Sequence, residues 1–120
     1  MKKTIYVDMD GTLLDNSLDA QFIASGYDKA WYNEQYVTTL AVNYKLVRVL
    51  KKLAVRGNTL ILWTNRGEEQ REMTKENLGD LWTMFTDHRF YCGKKLGTNV
   101  DGYTIDNEAK YVTNGIHLTW

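Results

Sequence analysis

The 120-residue sequence predicts a three-layer α/β domain with a mostly parallel five-stranded sheet, and three observations carry that prediction. Short β-type runs alternate with segments of helical periodicity along the chain. One run, Thr59-Leu60-Ile61-Leu62-Trp63, is apolar or β-branched throughout, the pattern of a strand covered on both faces. Three runs stop abruptly at polar residues, Asp8, Thr64 and Asp106. Parallel sheets open their ligand crevices beyond the carboxyl ends of the strands, so one site can gather all three.

The first strand is expected at Thr4 to Val7. A helix is expected from about Thr39 to Val55, with Leu40, Tyr44, Val47, Leu50 and Ala54 on one face. Lys45, Arg48, Lys51, Lys52 and Arg56 decorate its other faces as a solvated surface, and Gly57 ends it as a C′ glycine. The second strand is Thr59 to Trp63, followed by a helix from about Glu68 to Leu81 whose first residues are acidic, as the helix dipole favours. Arg89 to Cys92 reads as the third strand, Gly102 to Ile105 as the fourth and Ile116 to Thr119 as the fifth.

Composition narrows the function classes. The length suits one domain over residues 1–120. Apolar content of 43% and charged content of 25% are those of an ordinary globular protein. Acidic and basic residues balance at 15 each, which argues against a strongly basic nucleic-acid binder. Cys92 is the single cysteine, so no internal disulfide forms. No long apolar run suggests a membrane span, and Lys2-Lys3 leads into a short strand rather than a signal peptide. A cytoplasmic home with no membrane partner is the expectation.

The chemistry concentrates at Ile5-Tyr6-Val7-Asp8-Met9-Asp10-Gly11-Thr12. Residues two apart at a strand end project the same way, so Asp8 and Asp10 meet at the lip of the sheet. Two ionised carboxylates about 4 Å apart repel by roughly 4 kcal/mol at an effective dielectric near 20. A shared proton or a hard cation with oxygen ligands, Mg²⁺ above all, relieves that conflict. The plain alternative is a surface turn closed by Asp10-Gly11.

Apolar strand, Asp, any residue, Asp, Gly, Thr is also the first motif of the haloacid dehalogenase (HAD) superfamily, which this segment resembles. Three further segments match in family order. Thr64-Asn65-Arg66-Gly67 resembles the second motif, a strand ending in a hydroxyl residue. Its hydroxyl and backbone amides at a helix start make a phosphate seat, and Arg66 is either a bidentate phosphate clamp or a surface arginine. Gly93-Lys94-Lys95 stands where the family requires a lysine; Lys94 is the choice and Lys95 the fallback. Tyr103-Thr104-Ile105-Asp106-Asn107 resembles the last motif, which commonly ends in two acidic residues. Asn107 departs from it, keeping an oxygen donor but lowering the negative charge.

The resemblance spans Ile5 to Ala109 and implies a Rossmann-like fold whose central first strand lies between the second and fourth, with Asp8 beside Asp106. It implies a phosphatase in which Asp8 is the nucleophile that forms an aspartyl-phosphate, Asp10 the general acid and base, and Lys94 the cation that offsets charge. Thr64, Asn65 and Arg66 would bind substrate. Asp8, Asp10 (through its backbone carbonyl in relatives), Asp106 and Asn107 would hold Mg²⁺. His88 and His117 lie outside any metal or triad spacing.

The stretch at about 13–38 is too short for a folded cap, so the site is expected to be open, suiting a phosphorylated nucleotide, a nucleic-acid end or a phosphoprotein. Tyr27, Trp31, Tyr32 and Tyr36 within it either stack on a base or fasten the insert as a small core. A non-catalytic binding or interaction module of the same fold is the alternative, with Asn107 as its support.

Overall fold

A computed structural model of the chain describes residues 2–14, 24–26, 28, 41–64, 66–90, 102–106 and 115–118. The elements follow in the order β1 (Thr4–Val7), α1 (Tyr44–Val55), β2 (Thr59–Trp63), α2 (Arg71–Leu78), β3 (Asp87–Arg89), β4 (Tyr103–Asp106) and β5 (Gly115–His117). The five strands form one sheet in the order β3-β2-β1-β4-β5. Every neighbouring pair is parallel. The fold is therefore α/β with a parallel five-stranded sheet, as the sequence predicts.

Side-chain alternation divides the core between the two faces of the sheet. Ile5, Val7, Leu60, Leu62 and Ile105 pack with Leu46, Val47 and Leu50 of α1 and with Leu78 of α2. The steps from β1 to β2 and from β2 to β3 run in the same direction, so right-handed crossovers bring both helices to one face. On the opposite face Tyr6, Ile61 and Trp63 are also buried, with the Tyr6 and Trp63 rings in edge contact at 5.8 Å. The sheet is thus covered on both sides at its centre, which is what the uninterrupted β2 pattern requires.

β1 and β2 match the expected spans to the residue. Gly57 takes the predicted C′ place after α1, with φ of 90° and its amide on the Ala54 carbonyl. The start of α1 differs. Val42 bridges to Leu14, and the Asn43 amide donates to the Leu13 carbonyl, which holds these residues out of helical geometry. Asn43 then caps the helix by accepting from the Leu46 amide. The buried face shifts with the start: Tyr44 is 68% exposed and Leu46 is buried in its stead.

The second helical segment is shorter than expected and is flanked by tighter turns. A 3₁₀ turn (Glu68–Gln70) precedes α2, and a second one (Gly79–Met84) follows it. Gly79 at φ of 54° ends the α-helix before Leu81. Arg71 fastens the first turn, pairing with Glu68 and donating to the His88 carbonyl. Its hydrogen bonds hold the Glu68 carboxyl below the usual carboxylate range. β3 lies two residues earlier than predicted, because β2 ends at Trp63 and its last partner is Arg89. β4 and β5 each lie one residue from their predicted starts.

Candidate active site

Val7 pairs with Ile105, so Asp8 and Asp106 are the next residues on neighbouring strands, and the Asp8 amide donates to the Ile105 carbonyl at 2.8 Å. Parallel neighbours keep side chains at the same level on the same face, with the strands about 4.8 Å apart. The two carboxylates therefore share one end of one face, and both are buried. The central position of β1 brings together residues from opposite ends of the chain.

The turn after β1 is fixed by its own backbone. The Met9 carbonyl accepts from the amides of Thr12, Leu13 and Leu14, and the Gly11 amide donates to the Leu14 carbonyl. Gly11 stands at φ of 85°, a conformation that disfavours other residues. Met9, Leu13 and Leu14 are fully buried and anchor the turn in the core. The Thr12 hydroxyl, also buried, donates to Asp8 Oδ2 at 2.8 Å and so orients the carboxylate. Thr12 belongs to the motif read in the sequence, but contact with Asp8 is a role the motif alone does not reveal.

Thr64 lies at the end of β2, fully buried, and its amide donates to the Arg89 carbonyl. Its Oγ1 accepts the Arg66 amide at 3.1 Å, an arrangement that uses a lone pair and not the hydroxyl proton. The expected seat of backbone amides is changed by these contacts. The Arg66 amide is taken by Thr64, and the Gly67 amide by Gln70 Oε1.

Of the two alternatives for Arg66, it is not the surface residue, since its side chain is 2% exposed. Nε donates to Asp10 Oδ2 at 3.0 Å and Nη2 to Asp10 Oδ1 at 2.8 Å, a two-point fork. Nη1 donates to Thr74 Oγ1 at 3.0 Å and Asn77 Oδ1 at 2.9 Å. Thr74 and Asn77, three residues apart on α2, fall on one helix face. Sequence reasoning missed both, because nothing local marks a polar pair on a helix as the partner of a loop arginine.

The fork also changes the expected cation set. With the Asp10 carboxylate turned to Arg66, no three His, Cys, Asp or Glu side chains converge as a metal cage among the described residues. Asp8 and Asp106 are the adjacent pair, and Asp10 keeps its backbone carbonyl as the donor to consider. His88 is structural: its ring stacks on Trp82 with centroids 3.6 Å apart, and Nε2 lies 2.8 Å from the Trp82 carbonyl. Asn65, Lys94, Lys95 and Asn107 lie outside the described residues, as do Tyr27, Trp31, Tyr32 and Tyr36.

Among the described residues, no helix is long and apolar enough to cross a membrane. Comparison with protein-family models, curated proteins and solved structures finds no match to this chain.

Proposed function

We propose that the chain is a phosphatase of the HAD type that hydrolyses a phosphomonoester through an aspartyl-phosphate, with Mg²⁺ as cofactor and a cytoplasmic setting. The observation that carries this reading is the placement of Asp8 and Asp106, both buried, at the C-terminal ends of the neighbouring parallel strands β1 and β4. Two buried carboxylates at the ends of neighbouring strands put four oxygen donors at one end of the sheet. Oxygen-only donors at the C-terminal edge of a parallel sheet suit a hard divalent cation. Asp8, Asp106 and the Asp10 backbone carbonyl would hold it, with Asn107 joining them on sequence grounds. When bound, Mg²⁺ would screen charge between the phosphate and the carboxylates.

In the first step Asp8 attacks phosphorus, an acyl-phosphate P–O bond forms, and the bond to the leaving oxygen breaks. Thr12 holds Asp8 in one orientation for that attack. Asp10 delivers its proton to the leaving oxygen. In the second step water attacks phosphorus and gives a proton to Asp10, and inorganic phosphate departs with Asp8 restored. Thr64 offers its hydroxyl proton to a phosphate oxygen, and Lys94 supplies positive charge on sequence grounds. The substrate class that suits an open site is a nucleotide, a nucleic-acid end or a phosphoprotein.

Asp8→Asn tests the reading most directly, because an amide oxygen is a poor phosphoryl acceptor. Turnover of p-nitrophenyl phosphate in Mg²⁺ is expected to vanish while the circular dichroism spectrum is kept. Activity above a few percent of wild type, with deamidation excluded by mass spectrometry, would remove Asp8 from the nucleophile role.

A further inference from the structure

The buried guanidinium of Arg66 is the feature that the proposed chemistry leaves unexplained. A cation with 2% side-chain exposure does not reach out to solvent, and burial of a charge is unfavourable unless it is fully paired. Here the pairing is complete on two sides. Nη1 spends its two hydrogens on Thr74 and Asn77, while Nε and Nη2 grip both oxygens of Asp10. The first pair of contacts fixes the plane of the guanidinium, and the second fixes the plane of the carboxylate.

From this network we infer that Arg66 is a positioning residue for Asp10, held in place by Thr74 and Asn77 of α2. The inference rests on the phosphatase reading, in which Asp10 moves protons. A general acid works only when its oxygen stands within hydrogen-bond reach of the leaving group. The Asp10 side chain turns about two torsions in a loop beside Gly11, and a planar two-point contact restrains both. The fork takes one lone pair from each oxygen and leaves a second position on each, enough for the proton that Asp10 gives and takes. Asp10 keeps 19% of its side-chain surface exposed, so part of the carboxylate stays open while Arg66 holds the rest. α2 thereby contributes to the site at one remove, through side chains that hold Arg66.

The test is steady-state kinetics in saturating Mg²⁺ on p-nitrophenyl phosphate and on a primary alkyl phosphate. The proteins are wild type, Arg66→Met, Arg66→Lys, Asn77→Ala, Asp10→Asn and the double variant Asp10→Asn with Arg66→Met. Arg66→Met is expected to lower kcat on the alkyl ester by about 10²-fold, the lower range for impaired acid–base catalysis, with KM nearly unchanged. The loss should be smaller on p-nitrophenyl phosphate, whose leaving group hardly needs a proton. In the Asp10→Asn background the same change should add less than about threefold, because residues that act as a unit are not additive. Arg66→Lys should recover part of kcat, and Asn77→Ala should lose about tenfold on the alkyl ester alone.

A rise in KM with kcat kept, or a full multiplicative loss in the double variant, would overturn positioning and make Arg66 a substrate contact. If Arg66→Met fails to fold, Arg66→Lys and Asn77→Ala carry the comparison. Equal loss on both esters from those two variants overturns the inference as well. An inactive wild-type protein would take down the phosphatase reading itself. An active wild type with an additive Arg66 leaves that reading intact and removes only the positioning role.

Discussion

Asp10 carries two burdens in this structure, one chemical and one structural, and substitutions separate them. As acid and base it should be worth about 10²–10⁴ in turnover. Asp10→Asn is therefore expected to slow hydrolysis by that factor, with a larger loss on an alkyl ester than on p-nitrophenyl phosphate. As the acceptor for a buried guanidinium it also matters for stability. Asn retains one carbonyl oxygen for Arg66 but loses the negative charge and turns an NH2 donor toward the guanidinium, so its stability should fall, though less than that of an alanine variant. Asp10→Ala removes both acceptors and leaves the cation half paired, a loss of about 3–5 kcal/mol for a broken buried pair. Urea denaturation reads the difference through the midpoint at constant slope. Equal midpoints for the two variants would mean that Arg66 finds other acceptors on its own.

At the scale of elements, the helix faces give the sharpest check. Leu50 is fully buried beneath the sheet, and Leu50→Ala should cost about 2–5 kcal/mol. Tyr44, assigned to the same apolar face by periodicity, is 68% exposed, and Tyr44→Ala should change stability by no more than about 0.5 kcal/mol. Thermal denaturation of the two variants decides between the faces. Periodicity misplaced Tyr44 because the bridge from Leu14 to Val42 delays the helix until Asn43 can cap it, and that bridge joins segments far apart in sequence. The same division runs through the fold. β2 and the Gly57 terminus were readable, since an unbroken apolar run and a C′ glycine are local signals. The slip of β3 was not, because its extent is set by where β2 ends. In the site, Asp8, Thr64 and Asp106 were legible as polar residues closing apolar strands. The contacts of Arg66 were not legible, because Asp10 lies 56 residues away and only the folded chain brings Asp10, Thr74 and Asn77 around it.

For the molecule as a whole, the sheet order ties stability to the proposed cation. Placing β1 between β2 and β4 sets Asp8 beside Asp106 in a buried position, so the folded state alone creates the carboxylate pair. The unfolded chain keeps these residues far apart in sequence and does not share the conflict. A cation that binds only the folded state then stabilises it by mass action, about 2.7 kcal/mol at a hundred times its Kd. For a 120-residue domain that corresponds to a rise in Tm of roughly 10 °C. Sodium chloride at matched ionic strength provides the control for general screening, which should be slight on a chain with formal net charge +0. Asp106→Asn should behave in the opposite way. It removes one of the two carboxylates while keeping the size of the side chain. A charged donor is thereby lost, so most of the Mg²⁺-induced rise should disappear. A wild-type Tm that responds to Mg²⁺ no more than to sodium chloride would show that no divalent cation binds between the two carboxylates. That outcome would leave Asp8 as a nucleophile to be tested by Asp8→Asn but would remove Asp106 from any metal site.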